Sequence, residues 1–376
     1  MRTGQLIARL AGLVVASGIA SSTLAAQLVV GQVAPLTGID ASQGRAYAAG
    51  MQLHFNAVNK AGGVNGNTFI LARRDDAGRP DETLNQTRAL LAEDKPVVLA
   101  GYFGSRNIAQ LLSAGLFERE RIVLVGFRAT ELNLEAPQLY GVRATLRDEP
   151  ARITAHLATV GITRLGLFYE NGAGAAPLIA AAQEAAANAK ARIIQTAGYD
   201  AGTSRVNAAA DAMLQASPQA IIMIASGGAA SSFIEKYRSA GGAAQLYTHS
   251  GADIEQMAKR LSEEQMQGIA IAQVTPSPYK LTNRLSKEFN DIAAAAGAQD
   301  VPISYAMMEG FIAAKVIVEA ARRQGSRVTR EGFAAALDGL ESFDLGGYVV
   351  GFRPGMRNGS RFVEMTIVSG NGRIRQ

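Results

Sequence analysis

Few residues in this chain have side chains suited to bond-making chemistry. The 376 residues include three histidines (His54, His156 and His249) and no cysteine. Thiol nucleophiles, zinc–thiolate sites and iron–sulfur ligation are thereby removed. There is no G-x-S-x-G elbow, no H-E-x-x-H and no G-K-[ST] phosphate loop. His54 and His156 fall within helical patterns and read as packing or surface residues. His249 follows a strand and precedes Ser250 and Gly251, a loop able to face a cleft. Asp75-Asp76 and Glu263-Glu264 are adjacent acids whose side chains point apart on regular structure, so both pairs read as solvated surface. Gly172-Ala173-Gly174-Ala175-Ala176-Pro177 approaches the dinucleotide fingerprint, but Pro177 stands where the third glycine belongs. The chain therefore reads as no enzyme, with no cofactor and no metal; an exported nicotinamide enzyme is the remote alternative.

Capture of an anion by main-chain donors is the chemistry that remains. Gly101-Tyr102-Phe103-Gly104-Ser105-Arg106-Asn107 joins a strand end to a helix start, where N–H groups are unpaired and a carboxylate is favoured. Gly126-Phe127-Arg128-Ala129-Thr130 follows the next strand and adds further main-chain donors and a hydroxyl. Arg106 and Arg128 suit a carboxylate. Tyr102, Phe103, Phe127 and Tyr305 are the aromatic side chains placed to touch a ligand.

The elements that must hold these loops alternate between strand and helix. Apolar runs at Leu28–Val33, Thr68–Ala72, Val97–Ala100 and Ile122–Val125 read as buried parallel strands. Between them lie helices marked by Tyr47, Met51, Phe55 and Val58, by Pro80, and by a start near Asn107. The pattern restarts with strands at Leu165–Tyr169, Arg192–Thr196, Ala220–Ala225, Gln245–Thr248 and Ile269–Val274. Helices over Leu281–Ala296, Tyr305–Arg323 and Phe333–Leu340 follow, then strands at Tyr348–Phe352 and Phe362–Val368. Two α/β units and a shared C-terminal portion are the economical arrangement.

Arg2, the apolar stretch Leu10–Ala20 and the small residues Ser21 to Ala26 read as an export signal over 1–26. Its apolar run is shorter than the about 20 residues that span a bilayer. Loss of Arg2 and Arg9 takes the formal charge from +5 to +3. With no tryptophan and no basic cluster, nucleic acid is not an expected partner.

At several separated points the chain resembles type I periplasmic solute-binding proteins of the branched-chain amino-acid (Leu/Ile/Val-type) ABC transport class. The matching stretches are Gly31 to Gly38, Asn59-Lys60-Ala61-Gly62-Gly63-Val64-Asn65-Gly66, Leu165 to Glu170, Glu309 to Lys315 and Phe343 to Tyr348. The resemblance implies an α/β, two-lobed type I periplasmic binding fold, each lobe a mostly parallel sheet flanked by helices, joined by three hinge crossings. One lobe takes 28–147 plus 275–342, the other 148–274 plus 343–376. It implies a periplasmic monomer that closes on a small carboxylate-bearing solute and serves an inner-membrane ABC permease. A ligand-sensing module for a signalling partner is the alternative. By the family's pattern Ser105, the Arg128 main chain and Thr130 hold the carboxylate, with Asn107 on the same turn, and Asp148 lies at the cleft rim. Ala173 stands where the family places an aromatic ring. The loop at Ser250 has no acid until Asp253, which leaves a ligand ammonium without an obvious partner and admits an acid lacking that group.

Overall fold

The structure is a computed structural model that describes residues 26–38, 40–129, 136–172, 174–297, 300–368 and 374–375. Residues 1–25 of the expected export segment thus lie outside the described residues, whereas Ala26 begins the first strand. The first sheet contains β1 (Ala26–Ala34), β2 (Asn67–Asp75), β3 (Val98–Phe103), β4 (Leu124–Arg128) and β5 (Leu139–Tyr140). The second contains β6 (Arg164–Asn171), β7 (Arg192–Asp200), β8 (Ala220–Ile224), β9 (Gln245–Thr248) and β10 (Ala270–Gln273). After a small hairpin, β11 (Phe343–Asp344) with β12 (Val349–Val350), the second sheet gains β13 (Glu364–Val368) and β14 (Ile374–Arg375).

Helices connect them as the crossover rule requires. α1 (Ala41–Lys60), α2 (Pro80–Glu93), α3 (Ser105–Ser113) and α4 (Leu116–Glu120) serve the first sheet. α5 (Asp148–Thr159), α6 (Ala175–Asn188), α7 (Asn207–Ala216), α8 (Gly227–Ser239), α9 (Ile254–Arg260) and α10 (Glu263–Met266) serve the second. The chain then returns through α11 (Arg284–Ala296), α12 (Tyr305–Gln324) and α13 (Arg330–Asp338), which pack on the first sheet.

Strand order is β2-β1-β3-β4-β5 in one sheet and β14-β13-β10-β9-β8-β6-β7 in the other. All pairings within β1–β5 and within β6–β10 are parallel, whereas β13 joins β10 antiparallel. The order reverses between β1 and β3, and between β6 and β8, and such switch points are where open α/β sheets take ligands, beyond the strands' carboxyl ends. Buried clusters cover both faces of each sheet. That double burial explains why the strands read as continuous apolar runs rather than alternating ones.

One feature of the packing departs from the sequence division. Leu345, Tyr348, Val350 and Phe352 are buried in the cluster of the first sheet, with α1 and α12. The hairpin over 343–352 therefore sits against the first sheet, although the division from sequence gave it to the other lobe. Main-chain bonds tie it to the helices of that sheet, Leu285 N–H to the Gly346 carbonyl at 3.0 Å and Phe352 N–H to the Leu340 carbonyl at 2.6 Å. The Tyr348 hydroxyl lies 2.7 Å from the Val142 carbonyl and 3.1 Å from that of Val274, touching two of the segments that run between the sheets. Gly141 N–H donates to the Arg357 carbonyl at 2.9 Å, and Gly359 N–H to Gly141 at 2.7 Å. Three chain segments are thus gathered side by side where the sheets meet.

Candidate functional site: the cleft between the sheets

The carboxyl ends of the two sheets face each other and are in contact. Ser42, in the first turn of α1, donates to Asp253 Oδ2 at 3.3 Å, and Gln256 donates to the Ser42 hydroxyl. Gln43 Nε2 reaches the Gly251 carbonyl at 3.5 Å. Between these walls is a cavity of about 10 Å³, lined by Arg128 and Ala306 on one side and Ser250, Asp253, Ile254, Glu255 and Gln273 on the other, with Tyr305, whose side chain packs in the second sheet's core, between them. A larger cavity of about 290 Å³ lies elsewhere, among Arg88, Leu91, Leu116 and Arg119 on the outer side of α2 and α4. It has no strand end in its wall, so the interlobe cavity is the candidate site.

Arg128 ends β4, and its guanidinium is buried. Nε and Nη2 donate to Glu309 Oε2 at 3.1 and 3.0 Å, and Nη1 donates to Gln43 Oε1. Its charged carbon stands 5.6 Å from the centre of the Phe103 ring, a cation–π contact. Burial works against this charge, but Glu309 together with Asp253 and Tyr47 outweighs it and raises the pKa above the ordinary value, so the group stays cationic. Arg143 follows β5 and reaches Glu309 Oε2 at 3.4 Å and Glu149 Oε1 at 3.2 Å, and it donates to the Ser250 hydroxyl. Glu149, fully buried in the first turn of α5, accepts the Ser250 N–H at 2.7 Å and its hydroxyl at 3.0 Å.

His249 is spent on the same loop. Its Nδ1 accepts from Gly251 N–H at 3.3 Å, which leaves the proton on Nε2 to donate to the Ala225 carbonyl at 3.0 Å. Burial lowers its pKa and keeps the ring neutral. Glu255 is half-buried and accepts from the Tyr279 hydroxyl at 2.6 Å and the Tyr305 N–H at 2.9 Å. Burial first, and then the charge of Asp253, push its carboxyl up to about 7 against those hydrogen bonds.

A pH prediction arises here. A carboxyl whose pKa is raised from 4.5 to about 7 by folding adds stability below pH 4.5 that is lost as pH climbs through 7. Between pH 5 and 8 the unmodified protein should lose about 1–2 kcal/mol relative to Glu255→Gln, allowing for the solvent that reaches the group. Urea unfolding of both proteins at the two pH values measures this. Parallel pH dependences would contradict it.

The residues singled out in the sequence have several fates. Arg128 and Ser250 line the cavity, Phe103 is buried in the core of the first sheet with its ring against the Arg128 guanidinium, and Ser105 is buried at the start of α3. The preceding Gly104 has φ +89°, a conformation suited to glycine, and this turns the chain sharply from β3 into α3. Tyr102 does not face the cleft. Strand alternation points it to the opposite side of the sheet, where its hydroxyl is 3.1 Å from Thr87 Oγ1 among Leu90, Ile108 and Leu111. Phe127 packs half-buried into that same outer cluster, again one residue out of phase with Arg128. Asn107 donates to Thr83 Oγ1 at 2.7 Å, and Thr83 in turn donates to Asp76 at 2.6 Å. Asp76 is thus a buried tie between β2, α2 and α3, whereas adjacent acids had suggested solvent. Arg106 is exposed. Asp148 closes the turn that starts α5, accepting from Thr145 N–H at 2.9 Å and the Thr145 hydroxyl at 2.6 Å. Thr130 and Ala173 lie outside the described residues.

Sequence reasoning missed Gln43, Arg143, Glu149, Glu309, Glu255 and Gln273. Two of them carried a readable signal. Glu309 is an acid within an apolar helical stripe, and Arg143 a lone cation in the run Leu139–Leu146. Charges in such settings need partners.

Residues 27–371 match the family described as periplasmic binding protein, and the chain belongs to it. A substrate-binding periplasmic protein from Ralstonia solanacearum is 35% identical, with 93% of this chain and 99% of that one covered and a TM-score of 0.86. The branched-chain amino acid transporter substrate-binding protein LivJ from Streptococcus pneumoniae, solved with isoleucine, shares the fold at 17% identity, with a TM-score of 0.80 and 93% and 98% of the two chains covered. An amino acid binding protein from Pseudomonas aeruginosa is 34% identical over 82 residues, which is 22% of this chain and 22% of that relative's length. These relatives are binding proteins rather than enzymes, in line with the missing catalytic motifs.

Proposed function

We propose that this protein is the periplasmic substrate-binding component of an ABC uptake system, closing its two lobes on a small amino acid and passing it to an inner-membrane permease. The lobe division 28–147 plus 275–342 against 148–274 plus 343–376 belongs to this proposal, with the hairpin over 343–352 moved to the first lobe. One observation carries the choice of ligand. The cavity has a guanidinium, Arg128, on the wall from the first sheet, and two carboxylates, Asp253 and Glu255, on the wall from the second. A zwitterion offers an opposite charge to each. The acids missing from the loop at Ser250 arrive three and five residues later, at the start of α9. An acid without an amino group would leave them uncompensated.

The amino-acid and branched-chain names of the relatives support the same class of solute. A capture protein gains affinity from ligand contacts made only in the closed state, less the cost of ordering the hinge. A thermal-shift panel of neutral amino acids, their deaminated and decarboxylated analogues and short dicarboxylates tests the reading. Amino acids should raise the melting temperature, and analogues lacking either charge should raise it less. A response confined to dicarboxylates, or none across the panel, would overturn the choice of ligand.

A further inference from the structure

We propose that Arg143 ties solute capture to closure, because it stands on the segment joining the two sheets and holds a buried carboxylate of each. This rests on the reading of the cleft as a capture site. Arg143 follows β5 and precedes α5; Nη1 faces Glu309 on α12 at 3.4 Å, and Nη2 faces Glu149 on α5 at 3.2 Å while donating to Ser250 Oγ. The Arg143 side chain is 14% exposed, those of Glu309 and Glu149 1% and 0%. Two arginines and two glutamates make the chain Arg128–Glu309–Arg143–Glu149 neutral as a set, and the set is complete only when the sheets are together.

The sharing of Glu309 provides the link to a ligand. Its Oε2 faces Nε and Nη2 of Arg128 and Nη1 of Arg143, three donors on one oxygen, whereas Oε1 is buried with no hydrogen-bond partner among the described residues. One carboxylate oxygen offers about two lone-pair positions. A solute carboxylate at Arg128 takes over part of that guanidinium and leaves Glu309 to Arg143. Arg143 then holds Glu149 and Ser250 more firmly, and the second sheet follows.

The test compares wild type with R143Q and R143K. Circular dichroism checks the fold, calorimetry measures affinity for the best amino acid of the panel, and small-angle scattering gives the radius with and without it. R143Q should bind about 10-fold more weakly, keep a larger radius when saturated and also be wider than wild type without ligand. R143K, whose ammonium cannot hold both carboxylates in fork geometry, should fall between the two. A lowered melting temperature with affinity and radii unchanged would make Arg143 a structural staple and overturn the proposal. If R143Q does not fold, S250A removes only the hydroxyl arm and should weaken binding about 3-fold; unchanged affinity would again overturn it. Should wild type bind nothing in the panel, the capture reading fails, while the ligand-free radii still decide on Arg143: equal radii would refute the tie.

Discussion

Replacing Glu309 with alanine should cost about 3–5 kcal/mol of unfolding free energy, one of the two largest effects expected of a single change in this molecule. The carboxylate lies between two guanidiniums whose side chains are 9% and 14% exposed. Its removal leaves two positive groups in a poorly solvated space, with Gln43 as the remaining hydrogen-bond partner of the Arg128 guanidinium among the described residues. Arg128 also loses the two bonds that fix its place in the cavity wall, so affinity for the ligand should fall along with stability. Urea unfolding gives the first quantity and calorimetry the second. A stability loss under about 1 kcal/mol would be that of a surface ion pair, and would show that the network is solvated rather than buried.

A comparable loss is expected when Gly310 becomes valine. Helices α1 and α12 cross with glycines at the contact: a Cβ on Gly310 would lie 2.0 Å from the Tyr47 carbonyl oxygen, and one on Gly50 1.9 Å from that of Met307. Backbone atoms cannot yield as a flexible side chain does, so the helix axes must separate. Overpacking of this kind costs about 1–3 kcal/mol and sometimes more. The shift also carries Glu309, the adjacent residue, away from Arg128 and Gln43. Gly228→Ala serves as the control, because its added Cβ would find no atom closer than 3.8 Å. It should be neutral or stabilising by up to about 1 kcal/mol through helix propensity. Equal melting temperatures for the two variants would refute the account of the crossing.

The frame of the protein is legible in the sequence because both sheets are buried on both faces. Continuous apolar runs such as Leu28–Val33 and Ala220–Ala225 then mark strands without any need to know which face is which. The two-residue β5 has no such mark, and β13, although its run Phe362–Val368 reads as a strand, shows nothing of its antiparallel pairing with β10. The placement of the hairpin was not readable either, because Leu345, Tyr348 and Phe352 are apolar in any context and only long-range contacts, such as those with Leu285 and Leu340, show where they pack. For the candidate cavity, the sequence pointed to Arg128, Ser250 and Tyr305 but not to Ile254, Glu255, Gln273 or Ala306. Tyr102 and Phe103 are adjacent at the end of β3, yet strand alternation sends one to the outer core and the other to the opposite face, against Tyr47 and Arg128. Asp148 and Glu149 are similarly adjacent, the first spent on its own turn and the second buried against Ser250. Contacts that join residues more than a hundred positions apart, such as Arg128 with Glu309, leave only a faint trace in a single sequence: a charge in apolar company.

Two lobes shutting on a small zwitterion make the molecule more compact, and scattering from one protein with and without its ligand reads that change. Saturation with the amino acid giving the largest thermal shift should shrink the radius of gyration, whereas the deaminated analogue at the same concentration should not. Tight binding with no contraction, or equal contraction by the deaminated acid, would contradict it.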